Sequence, residues 1–283
     1  MLSIIYGIAS AATWGAADFI GGLASKRTSP YRILFLGELS GVIPFIVFAI
    51  VTDETVPPFA DMLWAALASL LGLGGLVLLY RALADGQMTI AAPVSAVFAA
   101  LIPVLFSFFT EGLPPTTTQI GFALAFIAVW LISQTGETDW RLSLQGIRSL
   151  RDLRLPLISG LFFGLYFVTI HKATLNAFFW PLVSARGAGF IAIGLFALMT
   201  RRPAMPPRAL WGYGIVNGII DIGGNAFYVL AARTGRLDVA AVLGALYPAS
   251  TVLLAWIFLK EKISWVQMFG ILLAFAAIVL FTV

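Results

Sequence analysis

Three polar residues, Asn217, Asp221 and Asn225, are spaced four residues apart within an otherwise apolar stretch that covers residues 208–231. In an α-helix this spacing places all three on one face. A carboxylate can bind an ammonium group, and the two amides can hydrogen-bond both ends of a zwitterion. The stripe therefore predicts a binding site for a small polar solute. The alternative is a structural role, in which the amides join helices and Asp221 is neutral or paired with an arginine.

The chain around this stripe has the composition of a polytopic membrane protein. Of its 283 residues, 60% are hydrophobic and 11% are charged, and the mean hydropathy is +0.99, which no soluble core could absorb. An aspartate near the centre of a membrane helix costs about 3 kcal/mol to insert, so it normally faces a bundle interior or a water-filled cavity. We therefore expect the stripe to face inward, toward a cavity.

Composition also excludes several kinds of site. Cysteine is absent and histidine occurs once, which excludes a disulfide framework, a thiolate metal site and a histidine metal cluster. No G-x-x-x-x-G-K-[ST] loop is present, so we predict no ATPase site, no other enzyme activity and no cofactor. The net charge of +4 comes from basic residues in short loops, and we expect no nucleic-acid partner. The expected partners are a small-molecule substrate and the lipid bilayer, and the sequence leaves monomer and homodimer open.

Ten apolar segments are long enough to span a bilayer as helices. They cover residues 3–24, 30–51, 62–84, 89–110, 116–134, 155–175, 178–200, 208–231, 239–259 and 264–282. The predicted fold is thus an all-α polytopic membrane protein. It divides into an N-terminal five-helix repeat over residues 1–135, a connecting loop over 136–154 with four arginines, and a C-terminal five-helix repeat over 155–283.

The two halves are predicted to be inverted repeats. In three successive helices, matching residues recur at a constant offset of 149, as Gly74-Gly75 does in Gly223-Gly224. Because each half contains an odd number of spans, the second half must enter the membrane upside down relative to the first. Inverted repeats of this kind are typical of transporters that alternate access around a site at the membrane midplane.

A set of motifs extends through both copies: Trp14-Gly15 in the first helix, then Gly235, the run Asp238-Val239-Ala240-Ala241, Pro248, Glu261 and Gly270. On these motifs the chain resembles the EamA-type transporters of the drug/metabolite transporter superfamily. The amino-terminal copy departs from the pattern, since Phe98 or Ala99 stands where Pro248 would map. The resemblance implies a ten-helix bundle in the cell (inner) membrane that moves small polar metabolites, commonly by export. Within the family it suggests the YddG-type amino-acid exporters.

Four ionisable residues inside the predicted spans are candidates for gating or for a proton relay. Asp18 and His171 fall on the same repeat position if the first and sixth helices are matched at an offset of 153. Glu38 in the second helix and Arg186 in the seventh stand in approximately the same relation. A structural ion pair is an equally good interpretation of Glu38 and Arg186.

Aromatic residues in the helices that carry the repeat are candidates to surround an apolar part of a substrate while Asp221 holds its ammonium group. The chain contains 23 Phe, 8 Trp and 7 Tyr, most of which must face lipid or neighbouring helices. The candidates for substrate contact beside the polar stripe are Trp14, Tyr80, Phe98, Tyr228 and Tyr247.

Charge and resemblance disagree about orientation. Of the 17 Lys and Arg residues, 13 lie in loops after odd-numbered helices and three in loops after even-numbered ones. The positive-inside rule then places the odd loops in the cytoplasm and both termini outside. The resemblance implies cytoplasmic termini. We follow the charge count, because it belongs to this sequence.

The expected function is export of small amphipathic metabolites by alternating access around a central cavity, with aromatic or other neutral amino acids as the expected substrates. Efflux of cationic drugs, with Asp221 as the counter-ion, is the alternative within the transporter class. A membrane enzyme that acts on lipid intermediates and a non-transporting channel or scaffold are the alternatives of another class.

Overall fold

The computed structural model describes residues 1–84, 88–134 and 153–282. Within these residues the regular structure is entirely helical. A 3-10 turn at Arg208–Leu210 precedes the eighth helix, and a π-helical turn at Ala255–Leu259 follows the tenth. The helices are α1 (Leu2–Ser25), α2 (Pro30–Val51), α3 (Phe59–Ala84), α4 (Met88–Thr110), α5 (Thr116–Ile132), α6 (Arg154–Ala173), α7 (Phe179–Met199), α8 (Trp211–Thr234), α9 (Leu237–Gly244), α10 (Tyr247–Leu254) and α11 (Trp265–Thr282).

The all-α fold and the ten predicted spans are confirmed. Eight segments of the described chain are long and apolar enough to cross a membrane by length and composition. The 24-residue α1 and the shorter apolar α5 complete the ten. The predicted connecting loop at 136–154 falls almost entirely on residues 135–152, which lie outside the described residues.

The ninth span, predicted as one continuous helix over 239–259, consists of α9, α10 and the π-helical turn. The break occurs at Ala245 and Leu246, and Pro248 stands in the first turn of α10. Proline has no N–H to donate to the preceding turn, so it is tolerated at a helix start and interrupts a helix interior. The ninth span is therefore interrupted next to Trp14, whose ring would lie 3.0 Å from a Cβ at Gly244.

Each repeat packs mainly against the other repeat. α1 packs against α8 as α6 packs against α3, and α2 packs against α8 as α7 packs against α3. α4 lies on α6, and the broken ninth span lies correspondingly on α1. Two further contacts join corresponding helices of the two repeats: α2 packs against α7, and α5 packs against α11. Exchanging the repeats thus reproduces this set of contacts, as two interlocked inverted repeats require.

Two hydrogen bonds fix the register of the repeats in the first and sixth helices. The Ser10 hydroxyl donates to the Gly224 carbonyl at 2.8 Å, and the Ser159 hydroxyl donates to the Gly75 carbonyl at 2.8 Å. Both partners of the second bond are displaced by 149 positions from those of the first (159 − 10 and 224 − 75). The first and sixth helices therefore follow the same register as the later helices.

The expected offset of 153 between these two helices is wrong, and Asp18 and His171 are not repeat equivalents. That offset matched Gly7 with Gly160. Both positions are close helix crossings: a Cβ at Gly7 would lie 2.6 Å from a Leu243 carbon, and a Cβ at Gly160 would lie 2.5 Å from a side-chain carbon of α4. Close packing requires glycine at each crossing independently of the repeat.

Glycines also bring α2 directly onto α8. A Cβ at Gly218 would lie 2.3 Å from the Gly37 carbonyl oxygen, so the two backbones touch where these residues meet. Glu38 follows Gly37 in α2, and Asp221 lies less than one turn after Gly218 in α8. The crossing therefore places two acidic residues of different repeats close to each other inside the bundle.

The ends of the spans define two sides of the molecule. We call the side on which α1 begins and α11 ends the terminus side. The opposite side, on which α5 ends and α6 begins, is the linker side. The loops after even-numbered spans lie on the terminus side, and the loops after odd-numbered spans lie on the linker side.

Candidate functional site

A chain of charged and polar side chains connects four helices in the middle of the bundle. Arg186 of α7 donates one hydrogen bond to Glu38 of α2, with 3.1 Å between Nη1 and Oε2, and a second to Oδ2 of Asp221 in α8. One turn further along α8, Asn225 donates to the Asp221 carbonyl at 2.8 Å and accepts a hydrogen bond from the Tyr166 hydroxyl of α6. We call these five residues the Arg186 network.

The network has one exposed end and a formal charge imbalance. The side chains of Arg186 and Glu38 are 11% exposed, whereas that of Asp221 is 31% exposed. One guanidinium and two carboxylates sum to −1 when all are ionised (+1 − 2). The second oxygen of Asp221, Oδ1, forms no hydrogen bond within the described residues. The network can therefore accept a cationic group at Asp221, where desolvation strengthens the attraction.

Asn217, the first residue of the predicted stripe, does not join the network. Its amide donates to the Ala17 carbonyl at 2.6 Å, and the residue is 7% exposed. A Cβ at Gly21 or at Gly37 would lie 3.1 or 3.2 Å from its side chain. Asn217 thus holds α8 against α1 and α2. The stripe separates into one residue that joins helices and two that belong to the network.

An aromatic cluster borders the network. The ring centroids of Phe167 and Tyr228 are 4.8 Å apart, and Trp14 lies 5.7 Å from Phe167 and 5.9 Å from Tyr228. Tyr228 is fully buried and donates its hydroxyl to the Phe167 carbonyl at 3.0 Å. The ring of Tyr166, a network residue, is 5.5 Å from that of Phe167. Both Trp14 and Tyr228 were predicted to contact substrate. Only the half-buried Trp14 of these two has a side chain that a solute can reach.

A cavity of about 390 Å³ lies on the linker side of the bundle, between both repeats. Its walls come from α1, α4, α5, α10, the connection after the π-helical turn, and α11. Asp18 and Tyr247, two of the predicted residues, line it together with Gln134, Thr251 and Glu261. Asp18 is exposed to the cavity although it lies about two turns inside α1.

Phe98 and His171, two other predicted residues, belong neither to the network nor to the cavity lining. Phe98 is half-buried in α4, where its Cβ would lie 2.5 Å from a Cβ at Gly160 of α6. His171 is half-buried near the end of α6, and its buried Nδ1 has no hydrogen-bond partner within the described residues. Tyr80 lies in α3, and its side chain is outside the part of the chain that the structure describes.

The terminus side is closed by hydrogen bonds between the repeats. The carboxylate of Glu54, in the connection between α2 and α3, accepts the backbone N–H groups of Phe178, Phe179 and Trp180 at 2.6, 2.8 and 2.9 Å. These groups lie at the start of α7, where a negative charge is favoured by unpaired N–H groups and by the helix dipole. Glu54 therefore fixes the helix that carries Arg186.

A second set of contacts closes this side at the start of α9. Arg236 pairs with the fully buried Asp238, with 2.8 Å between Nη2 and Oδ2, and donates to the Gly112 carbonyl at 2.6 Å. The hydrogen bonds to Asp238 raise the pKa of the Arg236 guanidinium. Glu111 accepts the Leu237 N–H at 3.2 Å. These contacts join the α4–α5 connection to α9, so they close the side of the bundle opposite the linker-side cavity.

Sequence reasoning missed three of these residues: Tyr166, Glu54 and Gln134. For Tyr166 a signal was present, because the register of 149 places it opposite Ala17 (166 − 149), just as it places Asp221 opposite Gly72. A polar residue in one repeat that faces a small apolar residue in the other marks a position where the repeats have diverged. Glu54 follows the second predicted span and Gln134 ends the fifth, and nothing in the local pattern indicates their long-range partners.

Known proteins resemble the chain over both halves. The sequence pattern of the EamA-like transporter family matches residues 1–134 and 154–283. Uncharacterized protein MJ1333.1 of Methanocaldococcus jannaschii is 26% identical over 131 residues, which are 46% of this chain and 94% of that protein. That relative therefore has about the length of one repeat. A solved crystal structure of another protein shares the fold, with a TM-score of 0.76 and 14% identity over 99% of this chain and 98% of its own. Since the family pattern covers both repeats, this multi-pass membrane protein belongs to the EamA-like transporter family.

Proposed function

We propose that the protein exports small amphipathic metabolites, with aromatic or other neutral amino acids as its substrates, by alternating access across the cell membrane. The Arg186 network carries this proposal. It offers a guanidinium and a partly exposed carboxylate at mid-depth in the bundle, next to aromatic rings. An ionised cluster inside a membrane protein is costly to maintain and marks a solute or ion pathway.

A zwitterion matches this network group by group. The substrate carboxylate binds Arg186, whose planar guanidinium suits two parallel hydrogen bonds, and the ammonium group binds Asp221. Before binding, Arg186 and Asp221 are partners of each other. Binding exchanges one ion pair for two, so Arg186, Asp221 and both charged groups of the substrate each contact an opposite charge in the bound complex. Trp14 lies near enough to the network, through Phe167 and Tyr166, to contact an apolar side chain.

The arrangement of the repeats supports alternating access. Symmetric contacts between inverted repeats allow a second state in which the roles of the two halves are exchanged. Within the described residues, a cavity lies on the linker side and hydrogen bonds between the repeats close the terminus side. If the linker side is cytoplasmic, as the charge count indicates, this state is the one in which an exporter takes up its substrate.

The test is counterflow of labelled phenylalanine and other neutral amino acids in proteoliposomes, with and without a pH gradient. Asp221→Asn should lower the flux about 30-fold or more, because truncating a desolvated charge pair costs about 2 kcal/mol or more. Asp53→Asn is the matched control, since Asp53 is an exposed carboxylate on the terminus side. Saturable amino-acid flux that Asp221→Asn leaves intact, in a protein that is still folded, rejects this site.

Efflux of organic cations is the second candidate, favoured by the net charge of −1 on the ionised network. In that case Asp221 is the counter-ion and Arg186 only keeps Glu38 paired. The same liposomes distinguish the two proposals. Saturable efflux of a permanent cation that amino acids do not inhibit supports the drug transporter, and competition between the two supports the amino-acid transporter.

A further inference from the structure

The linker-side cavity is separate from the Arg186 network. None of the five network residues lines it, and its walls come from a different set of helices. With a volume of about 390 Å³ it falls in the range of small-molecule sites. Because the cavity lies on the linker side of the bundle, its lining bears on which solutes the protein can bind from that side.

The described lining of the cavity is acidic. Asp18 and Glu261 contribute carboxylates, and no Lys or Arg is among the lining residues that the structure describes. Lys260 and Lys262 flank Glu261 along the chain, and both are exposed. Asp18 takes part in no salt bridge or hydrogen bond within the described residues, although it lies inside a membrane helix. A carboxylate at that depth is stabilised by a cation that enters the cavity.

A buried acceptor without a partner lies in the same wall. Gln134 lines the cavity, is only 3% exposed, and its Oε1 is buried with no hydrogen-bond partner among the described residues, which resume at residue 153. The orientation of the amide is set by its other end, because Nε2 donates to the Trp130 carbonyl at 3.1 Å. The hydroxyl of the neighbouring Ser133 is likewise buried and has no partner in the part of the chain that the structure describes. Orphaned polar groups of this kind are rare and indicate a missing donor or a bound molecule.

The wall that carries these groups is held in place by backbone contacts. Gln267 at the start of α11 donates to the Gln134 carbonyl at 2.9 Å. Elsewhere in the lining, the Thr251 hydroxyl donates to the Gly15 carbonyl at 3.1 Å, about one turn before Asp18. Gln134, just after α5, and Asp18 of α1 therefore line the same cavity, at positions that these contacts hold.

We infer that this cavity is a loading site for solutes that carry a primary ammonium group. A primary ammonium has a positive charge for Asp18 and three N–H donors, which suit a carboxylate together with a neutral acceptor such as Gln134. The ring of Tyr247 in the lining provides an apolar or cation–π surface for the rest of the solute. The inference rests on the proposed function, because the loading site supplies ammonium compounds to Asp221.

The test measures equilibrium binding rather than flux. Isothermal titration calorimetry of the purified full-length protein in detergent should give saturable binding of 2-phenylethylamine. Its N,N,N-trimethyl analogue keeps the charge without N–H donors, and 2-phenylethanol lacks the charge. The Kd of each of these two compounds should be at least about tenfold higher than that of 2-phenylethylamine, since neither can form a charge-assisted hydrogen bond. None of the three probes has a carboxylate for Arg186.

Two variants locate the site, and one serves as a control. Asp18→Asn and Gln134→Leu should each raise the Kd of 2-phenylethylamine about tenfold or more, whereas Asp53→Asn should leave it unchanged. The melting temperature of each variant verifies that it is folded. If Gln134→Leu is unstable, Glu261→Gln replaces it, because Glu261 is exposed and also contributes a carboxylate to the lining. This variant should also raise the Kd of 2-phenylethylamine.

The inference is overturned if the amine does not bind saturably, if Asp18→Asn binds it like the wild type, or if the trimethyl analogue binds equally well. Failure of the proposed function is a separate result. It appears as amino-acid flux that does not depend on Asp221, whatever the Kd of the amine. Asp221-dependent flux together with Asp18-independent amine binding overturns the loading site alone.

Discussion

Arg186 and Glu38 form an ion pair between corresponding helices of the two repeats, with 3.1 Å between Nη1 and Oε2. α2 is the second helix of the first repeat and α7 is the second helix of the other, and these two helices pack against each other. Exchanging the two repeats converts α2 into α7 and α7 into α2, so it reproduces this same contact. The ion pair therefore lies close to the pseudo-twofold axis that relates the repeats. Opposite charges at this place make the centre of the molecule asymmetric.

Removing the arginine should destabilise the protein as well as stop transport. In Arg186→Gln two buried carboxylates lose their shared counter-ion, and breaking a buried pair typically costs 3–5 kcal/mol, so we expect about that loss. Adding Glu38→Gln should recover part of the stability without recovering flux. Thermal unfolding in detergent and counterflow in liposomes measure the two effects. Wild-type stability in Arg186→Gln would contradict the buried pair.

The two asparagines of the stripe should respond differently. Asn217→Ala removes the hydrogen bond to the Ala17 carbonyl and leaves that buried group unpaired, which should cost about 1–3 kcal/mol of stability and leave the KM for transport unchanged. Asn225→Ala removes a ligand of Asp221 and the partner of Tyr166, so its effect should fall on transport. Melting curves and concentration-dependent flux separate the two roles, and equal effects on KM would show that both contact substrate.

The crossing of α2 and α8 should not tolerate a methyl group. In Gly218→Ala the new Cβ would lie 2.3 Å from the Gly37 carbonyl oxygen, so a backbone must move. We expect a loss of about 1–3 kcal/mol and reduced flux, because Glu38 and Asp221 separate. Gly212→Ala in the same helix is the control, since its Cβ would have no atom within 4 Å. The melting temperature of this control should stay the same or rise slightly.

Loss of the Glu54 carboxylate should loosen the terminus side. Glu54→Gln replaces a charged acceptor of three N–H groups by a neutral one, and about 1 kcal/mol of local stabilisation should be lost. The 4%-exposed Ala177, next to these N–H groups, is a suitable reporter. A cysteine placed there should react with maleimide several-fold faster in Glu54→Gln than in Asp53→Asn. Equal rates would mean that Glu54 does not hold this side closed.

The orientation can be determined by labelling, because the natural chain contains no cysteine. Val56, 68% exposed in the α2–α3 connection, lies on the terminus side, and Thr200, exposed after α7, lies on the linker side. The charge count predicts that a membrane-impermeant maleimide labels Val56→Cys in intact cells and labels Thr200→Cys only after lysis. The reverse pattern would establish cytoplasmic termini, as the family resemblance implies.

The fold could be predicted because its determinants are local or periodic. The length of each apolar run locates a span, and α2 begins and ends at the predicted residues 30 and 51. The offset of 149 indicates the inverted repeat. The break in the ninth span could not be predicted from Pro248 alone, because α4 contains Pro93 and Pro103 and continues as a helix through both. Tertiary packing decides whether a proline interrupts a membrane helix.

The partners within the site could not be predicted in the same way. Arg186 and Asp221 were both candidates, but their contact joins residues 35 positions apart on different helices, and Glu38 is 148 positions from Arg186. Such pairings depend on helix rotation and crossing depth, which glycine contacts such as Gly218 with Gly37 determine. The separation of Asn217 from Asn225 follows from the same geometry, since one faces α1 and the other faces Tyr166.

The interlocking of the repeats has a consequence for biosynthesis. During translation, α2 with Glu38 enters the membrane about 150 residues before Arg186 has been synthesised. Until then its carboxylate has no counter-ion, and its helix has neither α7 nor α8 to cover it. Completion of the first five helices therefore does not complete a folding unit. Nascent chains that stop short of α8 should be substrates for membrane quality control, and a helper that shields acidic helices during insertion would raise the yield of the mature protein.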